Sequence, residues 1–388
     1  MEGFSNLDFQ QLATPSYVVS LELLEKNLRI LADVERKSNA QILLALKGFS
    51  MYSTFPLVKK YLGGTTSSGI HEALLAREYF GGQIHVYNPA FEKSEVAQLA
   101  EFAHTIVFNS QKQIEKFADV ARACAKAAGN NLEIGLRVNP EYAEVETAIY
   151  NPCASGSRLG ALRESLDDTV IEQVDMLHFH ALCEQNSDVL ERVLERFESK
   201  FGDFLSRVTS VNFGGGHHIT KPDYEVERLI KIIKDFYARH PNIQKVYLEP
   251  GEAVALNTGV FVARVLEVVE NGTKIAILDC SATCHMPDVL EMPYRPTIIG
   301  ADLPNKKAYT YSLAGRSCLA GDRIGDYSFD APLNEGDILV FTDMAHYTMV
   351  KTTTFNGVNL PDIATWNDSL RKLEIIKKFG YADFKSRL

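Results

Sequence analysis

Between Ser20 and Leu256 two hydrophobic patterns alternate along the chain. The short apolar runs "QILLAL", "QIHVYN", "TIVFN", "LEIGLRVNP", "MLHFHA", "VTSVNFGGG" and "KVYLEPG" read as buried strands. Between them, apolar residues recur at helical spacing in "GIHEALLAREYF", "SEVAQLAEFA", "SQKQIEKFADVARACAKAA", "ESLDDTVIEQV", "SDVLERVLERFESKFGDFL" and "DYEVERLIKIIKDFYARH". Strand and helix in turn predict βα units, and continuous apolar strands predict a parallel sheet covered on both faces. About eight such units in roughly 240 residues is the size of a closed βα barrel. An open doubly wound sheet is the other arrangement of the same units.

After Gly251 the texture changes. "GVFVARVLEVVENGTKIAILDCSA" alternates apolar and polar residues around Asn271-Gly272, a hairpin signature. "KKAYTYSLAGRSCLAGDRIGDYSFDAPLNEGDILVFTDMAHYTMV" carries short strands between Gly, Pro and Asn turns. The expected architecture is therefore α/β: a TIM-like (β/α)8 barrel over 1–256 and an all-β domain over 257–388. The extreme N-terminus is free to pair with the β domain. "SLRKLEIIKKFGYADF" is expected to end the chain as a helix.

Composition narrows the function classes. The chain has 388 residues, 46% hydrophobic and 23% charged, which suits a soluble globular protein with a large core. Its net charge of −10, without a basic block, disfavours nucleic-acid binding and is compatible with a cationic substrate. "MEGFSNLDFQQL" lacks the basic and apolar regions of a signal peptide, and no apolar stretch approaches a membrane span. A cytoplasmic protein with no membrane partner is expected. The six cysteines form no CxxC pair. Cys280, Cys284 and His285 lie close together, but no second ligand pair accompanies them, so free thiols and no metal are expected.

In a barrel the strand C-terminal ends face the active site. Lys47 follows the apolar run "ILLAL", where a lysine either snorkels to solvent or serves chemistry. His180 ends "MLHFH", Gly214 to Gly216 follow "VNF", and Glu249 ends "KVYLE". Singly, these are a snorkelling lysine, a structural histidine, a tight turn and a turn cap. Together they offer an amine, a phosphate cradle, a carboxylate for a pyridine nitrogen and a support for a ring. Those are the needs of pyridoxal 5′-phosphate.

The stretches "LALKGFS", "GLRVNP", "HFHALCEQN", "NFGGGHHI", "LEPGEAV", "GRSCLAGDRI" and "DMAHYT" occur in the order of the fold-type III pyridoxal-phosphate decarboxylases, the group of ornithine and diaminopimelate decarboxylases. The chain resembles this family over nearly its whole length. The resemblance implies a barrel plus a β domain, and a homodimer with active sites at the interface. It implies that Lys47 carries the Schiff base, His180 stacks on the ring and Glu249 pairs with the pyridinium. Gly214, Gly215, Gly216 and Tyr347 would bind cofactor and phosphate, and Arg137 would lie near the cofactor. Cys318 would reach in from the partner subunit. A thiol of pKa about 8.5 can protonate a Cα carbanion at neutral pH, although a cysteine is also an ordinary small hydrophobe.

Two departures bear on the substrate. The family's usual Glu-Pro-Gly-Arg is here Glu249-Pro250-Gly251-Glu252, and the histidine motif continues as Leu182-Cys183-Glu184-Gln185-Asn186. Loss of the arginine argues against a substrate with a distal carboxylate. With "CSATCHMPDVLEMPYRP", the pattern resembles the branch that decarboxylates carboxynorspermidine and carboxyspermidine. A triamine tail needs acids, and Glu252, Glu184 and Asp322 are the candidates, each also readable as a surface or turn acid. Arg295 is the candidate for the substrate carboxylate, or else pairs on the surface. Three alternatives stay open: diaminopimelate or another basic amino acid as substrate, a racemase (which an acid at the ring nitrogen disfavours), and a catalytically silent binding or regulatory relative.

Overall fold

Strand β1 (Ser16–Ser20) precedes a closed parallel barrel of eight strands. These are β2 (Gln41–Ala45), β3 (Gly64–Ser67), β4 (Gln83–Tyr87), β5 (Thr105–Phe108), β6 (Glu133–Arg137), β7 (Met176–His178), β8 (Ser210–Asn212) and β9 (Lys245–Leu248). Each pairs with the next, and β2 with β9 closes the ring. The computed structural model describes residues 2–388. Contacts divide it into two units: Asn27–Val254, and the residues up to Lys26 together with Ala255–Leu388.

Seven barrel strands are the apolar runs of the sequence. The eighth, β3, reads Gly-Thr-Thr-Ser and carries no aliphatic side chain, yet all four residues are buried. The helices follow the apolar spacing. Ser110 caps Gln111–Ala128 by accepting from the Gln113 N–H, and Gly129, in the left-handed region, ends it. In Ser187–Leu205, Val189, Leu190, Val193, Leu194, Phe197 and Phe201 form one buried stripe. Each such side chain contributes about 1.5–3 kcal/mol by leaving water.

"ESLDDTVIEQV" does not form the expected α-helix. It holds two 3-10 turns, Arg163–Ser165 and Val170–Gln173. The Gln111 side chain takes the Asp167 backbone N–H at 2.7 Å and donates to its carboxylate at 2.9 Å. That backbone donor is lost to a helix, so tertiary hydrogen bonds outweigh the local spacing.

The second unit is built on β10 (Gly259–Glu270), β11 (Lys274–Leu278), β12 (Tyr309–Ala314), β13 (Arg323–Phe329), β14 (Ile338–Thr342), β15 (Asp362–Asn367) and β16 (Lys372–Lys377). The sheet runs β13-β12-β11-β10-β1-β15-β16, with β14 also on β10. The β10–β11 hairpin turns at Asn271-Gly272. β1 lies between β10 and β15, and its Tyr17 packs on Phe261 with ring centroids 4.9 Å apart. The expected terminal helix is corrected. Its middle, Lys372–Lys377, is β16, with Leu373 opposite Trp366 and Ile375 opposite Ala364, and the short helix Tyr381–Lys385 follows. The alternation Leu373, Ile375 matched a strand, and an available edge on β15 decided the matter.

Candidate active site

Lys47 stands two residues beyond β2, in a turn held against the end of β9. The Ala45 N–H donates to the Pro250 carbonyl at 3.2 Å, and a Cβ on Gly48 would lie 3.0 Å from the Gly251 Cα. This close backbone approach places Lys47 beside Glu249. No hydrogen bond or ion pair among the described residues holds its amine. The side chain keeps accessible surface although protein surrounds it, as expected of a residue lining a recess. Burial, and then the Arg137 charge, lower its pKa; Glu249, Cys183 and Glu72 oppose them. A lysine held this way supplies a neutral, nucleophilic amine more readily than a surface lysine does.

Glu249, just past β9, is buried. Its Oε1 accepts from Asn212 Nδ2 at 2.8 Å, and its Oε2 lies 3.4 Å from His178 Nε2. Burial alone would raise its pKa, but His178, His85 and the Asn212 bond together outweigh that and hold it well below the usual carboxylate range. His178 and His85 are both pushed down by burial, His85 to about 4, so both are neutral at neutral pH.

His180 Nδ1 accepts the Gly215 N–H at 3.2 Å, and burial followed by the Lys47 and Arg137 charges keeps its ring neutral. Arg137, the last residue of β6, is buried, donates to the His180 carbonyl at 3.3 Å and lies over the Tyr87 ring, 4.5 Å from its centroid. The glycine loop is packed as tightly as its composition suggests. Gly214 and Gly216 have φ of +70° and +83°, and a Cβ at Gly216 would lie 2.0 Å from the Leu182 carbonyl. Lys47, Arg137, His180, Gly214–Gly216 and Glu249 thus gather at one end of the barrel. Glu252 lies beside them, 3.3 Å from His218 Nε2. Glu184 is exposed with φ +54°, and both acids raise the Cys183 pKa, after burial.

Cys318, Asp322, Arg295 and Tyr347 belong to the other unit. Cys318 is exposed, and its N–H donates to Asn356 Oδ1 at 2.6 Å. Asp322 is buried, and its carboxylate accepts the N–H groups of Ala282 (2.7 Å), Ser317 (3.1 Å) and Thr283 (3.3 Å). It braces the Cys318 loop against the "CSATCH" turn, which leaves its oxygens largely committed. Arg295 is exposed and lies over the Tyr327 ring at 4.5 Å. Tyr347 is half-buried, with φ +45°.

The sequence reading did not single out His85, His178 or Asn212. His178 is the one polar residue of its strand, but His85 and Asn212 share theirs with Gln83 and Ser210, so their pattern reads as ordinary alternation and gave no signal. His178, His180 and Glu249 offer ligand atoms within 4.8 Å of one another, a cluster that could suit a cation. The adjacent Lys47 and Arg137 charges oppose one. An amine, a buried carboxylate, an imidazole and a glycine loop fit pyridoxal phosphate better.

Residues 16–345 match the family model of the pyridoxal-dependent decarboxylases, C-terminal sheet domain. The chain is 43% identical to a carboxynorspermidine/carboxyspermidine decarboxylase of Campylobacter jejuni, over 98% of this chain and 99% of the relative. It is 41% identical to a carboxyaminopropylagmatine decarboxylase of Synechocystis sp., over 99% and 97%. The crystal structure of Campylobacter jejuni carboxynorspermidine decarboxylase complexed with norspermidine superposes with a TM-score of 0.89 at 41% identity, covering 97% of this chain and all of that one. A diaminopimelate decarboxylase of Helicobacter pylori shares the fold at 16% identity and a TM-score of 0.80, over 98% and 97%. With a lysine, a buried glutamate and a glycine loop gathered at one end of the barrel, and with relatives that match end to end, the chain belongs to the pyridoxal-dependent decarboxylase family.

Proposed function

We propose that this enzyme decarboxylates carboxynorspermidine and carboxyspermidine to norspermidine and spermidine, with pyridoxal 5′-phosphate as cofactor. The unpaired amine of Lys47 beside the buried, ionised Glu249 carries the chemical reading. The Campylobacter jejuni relative carries the substrate reading. When bound, the cofactor supplies an electron sink for the pair left as carbon dioxide departs.

Each side chain has a task. Lys47, whose pKa burial lowers, would present its amine to the cofactor's aldehyde. Glu249 holds a proton on the pyridine nitrogen, and charge stabilisation there is the main catalytic term. His180 supports the ring face. Gly214–Gly216 and Tyr347 hold the phosphate end, and Arg137 adds positive charge nearby. Cys318 of a second copy gives its Sγ proton to Cα, so the working unit is a homodimer. Glu252 and Glu184 face the ammonium tail, and Arg295 is the candidate for the substrate carboxylate. Asp322 serves the tail less directly, since backbone donors occupy its oxygens.

The similarity to the Synechocystis enzyme favours a second reading, in which the tail ends in a guanidinium. One experiment separates these. The purified protein is supplied with pyridoxal phosphate and tested for a yellow absorbance that borohydride removes and Lys47→Ala lacks. Carbon dioxide release is then compared on carboxynorspermidine, carboxyaminopropylagmatine and diaminopimelate. Fastest turnover of carboxynorspermidine supports the proposal, and fastest turnover of the guanidinium substrate replaces it with the second reading. No yellow colour removes the cofactor and the chemistry together.

A further inference from the structure

We infer that Asn212 is a positioning residue that locks the cofactor's two anchors, the ring-nitrogen carboxylate and the phosphate loop, to each other through one side-chain amide. This rests on the reading above, in which Glu249 meets the ring nitrogen and Gly214–Gly216 hold the phosphate.

Asn212 is the last residue of β8 and is fully buried. In register it lies between His178 of β7 and Tyr247 of β9. Its Nδ2 donates to Glu249 Oε1 at 2.8 Å, and its Oδ1 accepts the Gly214 N–H at 2.8 Å. A carboxylate only accepts and a backbone N–H only donates. One amide orientation therefore satisfies both, and a flipped amide would oppose donor to donor and oxygen to carboxylate. The Glu249 N–H also donates to the Gly214 carbonyl at 2.7 Å. Loop and carboxylate are thus joined by one side-chain bridge and one backbone bond.

The residue type follows from the task. Aspartate keeps the acceptor for Gly214 but loses the donor and sets a second carboxylate against Glu249. Leucine keeps the approximate volume and loses both bonds. The Gly214 N–H is spent on Asn212 and the Gly215 N–H on His180, so these two glycines shape the loop more than they donate from it.

The test uses the full chain loaded with pyridoxal phosphate. Cofactor affinity and the position of the visible band are measured for the wild type, Asn212→Leu and Asn212→Asp, with melting temperature as the fold control. Asn212→Leu should bind the cofactor roughly ten- to a hundredfold more weakly, the scale of hydrogen bonds to a charged group, with a displaced band. Asn212→Asp should displace the band yet keep the wild-type preference for pyridoxal phosphate over pyridoxal. A residue serving only stability would lower the melting temperature and leave the band in place. If Asn212→Leu folds and matches the wild type in affinity and band, the inference fails while the cofactor reading stands. If Asn212→Leu does not fold, an unmoved band in Asn212→Asp overturns the inference alone. Failure of the wild type to bind pyridoxal phosphate overturns both.

Discussion

His178 Nε2 lies 3.4 Å from Glu249 Oε2, inside the barrel and away from solvent. At neutral pH the imidazole is uncharged and the carboxylate ionised. Once the imidazole is protonated in acid, the resulting ion pair keeps Glu249 charged further into acid. A carboxylate with a depressed folded pKa contributes stability above its ordinary value, and loses it as pH falls through the folded value. In His178→Leu that protection is gone, and burial raises the Glu249 pKa with less opposition. The acid limb of the kcat profile should move toward neutral pH, and acid unfolding should begin at higher pH. An unmoved acid limb would show that His178 does not protect Glu249.

Gly216 tests the loop directly. Its φ is +83°, and a Cβ there would lie 2.0 Å from the Leu182 carbonyl and 2.2 Å from its carbon, both backbone atoms. Neither can yield as a flexible side-chain tip can. Gly216→Ala should therefore cost about 3 kcal/mol or more in urea unfolding, or displace the loop. Cofactor affinity should fall with it. A variant with wild-type stability and affinity would show that the 182–183 backbone moves aside cheaply.

Glu35, on the helix Leu21–Ser38, accepts the Ile42 N–H at 2.6 Å, at the end of β2 opposite Lys47. Burial raises its pKa to about 7, against that hydrogen bond and Lys245. For an acid with a raised folded pKa, the stabilising contribution is complete below the unfolded value. It is lost as pH rises from about 4.5 through 7. Glu35→Gln keeps an acceptor for Ile42 and does not ionise. It should leave stability near pH 4 unchanged and raise it above pH 7 by about 1–2 kcal/mol, allowing for screening at this partly exposed site. Melting curves at the two pH values decide it.

Glu252 replaces the family's usual arginine and lies 3.3 Å from His218. If it meets the substrate tail, Glu252→Gln should raise KM for carboxynorspermidine about tenfold, the loss of one charged contact, with little change in kcat or cofactor affinity. A fall in kcat at constant KM would place Glu252 with the cofactor instead.

The sequence made the barrel legible because seven strands are continuous apolar runs separated by helical spacing. β3 was hidden since Gly64, Thr65, Thr66 and Ser67 are buried through neighbouring strands and not through their own hydrophobicity. At the site, Lys47, His180, Glu249 and the glycines stood out by lying at strand ends. Asn212 and His178 did not, because inside a strand a polar residue reads as ordinary alternation until the register sets them side by side. Asp322 was visible only as an acid near a cysteine. That its oxygens serve three backbone N–H groups follows from the return of the chain at Ala282 and Thr283, forty residues earlier, which no local pattern announces.

Asp322 gives the last prediction. Its Oδ1 holds Ala282 and Thr283, its Oδ2 holds Ser317, and its backbone carbonyl takes the Gly315 N–H at 2.9 Å. The loop carrying Cys318 is thereby fixed at both ends, with Asn356 holding the Cys318 N–H between them. Asp322→Ala leaves three backbone donors without this acceptor and should cost about 2–4 kcal/mol of stability. The loop should loosen with it. If Cys318 is the proton donor, its placement decides whether the electron pair left by carbon dioxide is protonated at Cα. Cys318→Ala should then release more carbon dioxide than norspermidine, as protons reach the wrong atom. Asp322→Ala should show the same imbalance at a smaller scale, with Cys318 intact. Measuring both products from carboxynorspermidine separates the roles. A one-to-one ratio in Asp322→Ala with a lowered melting temperature would make Asp322 a stabilising residue only, and the same ratio in Cys318→Ala would move proton donation to another group.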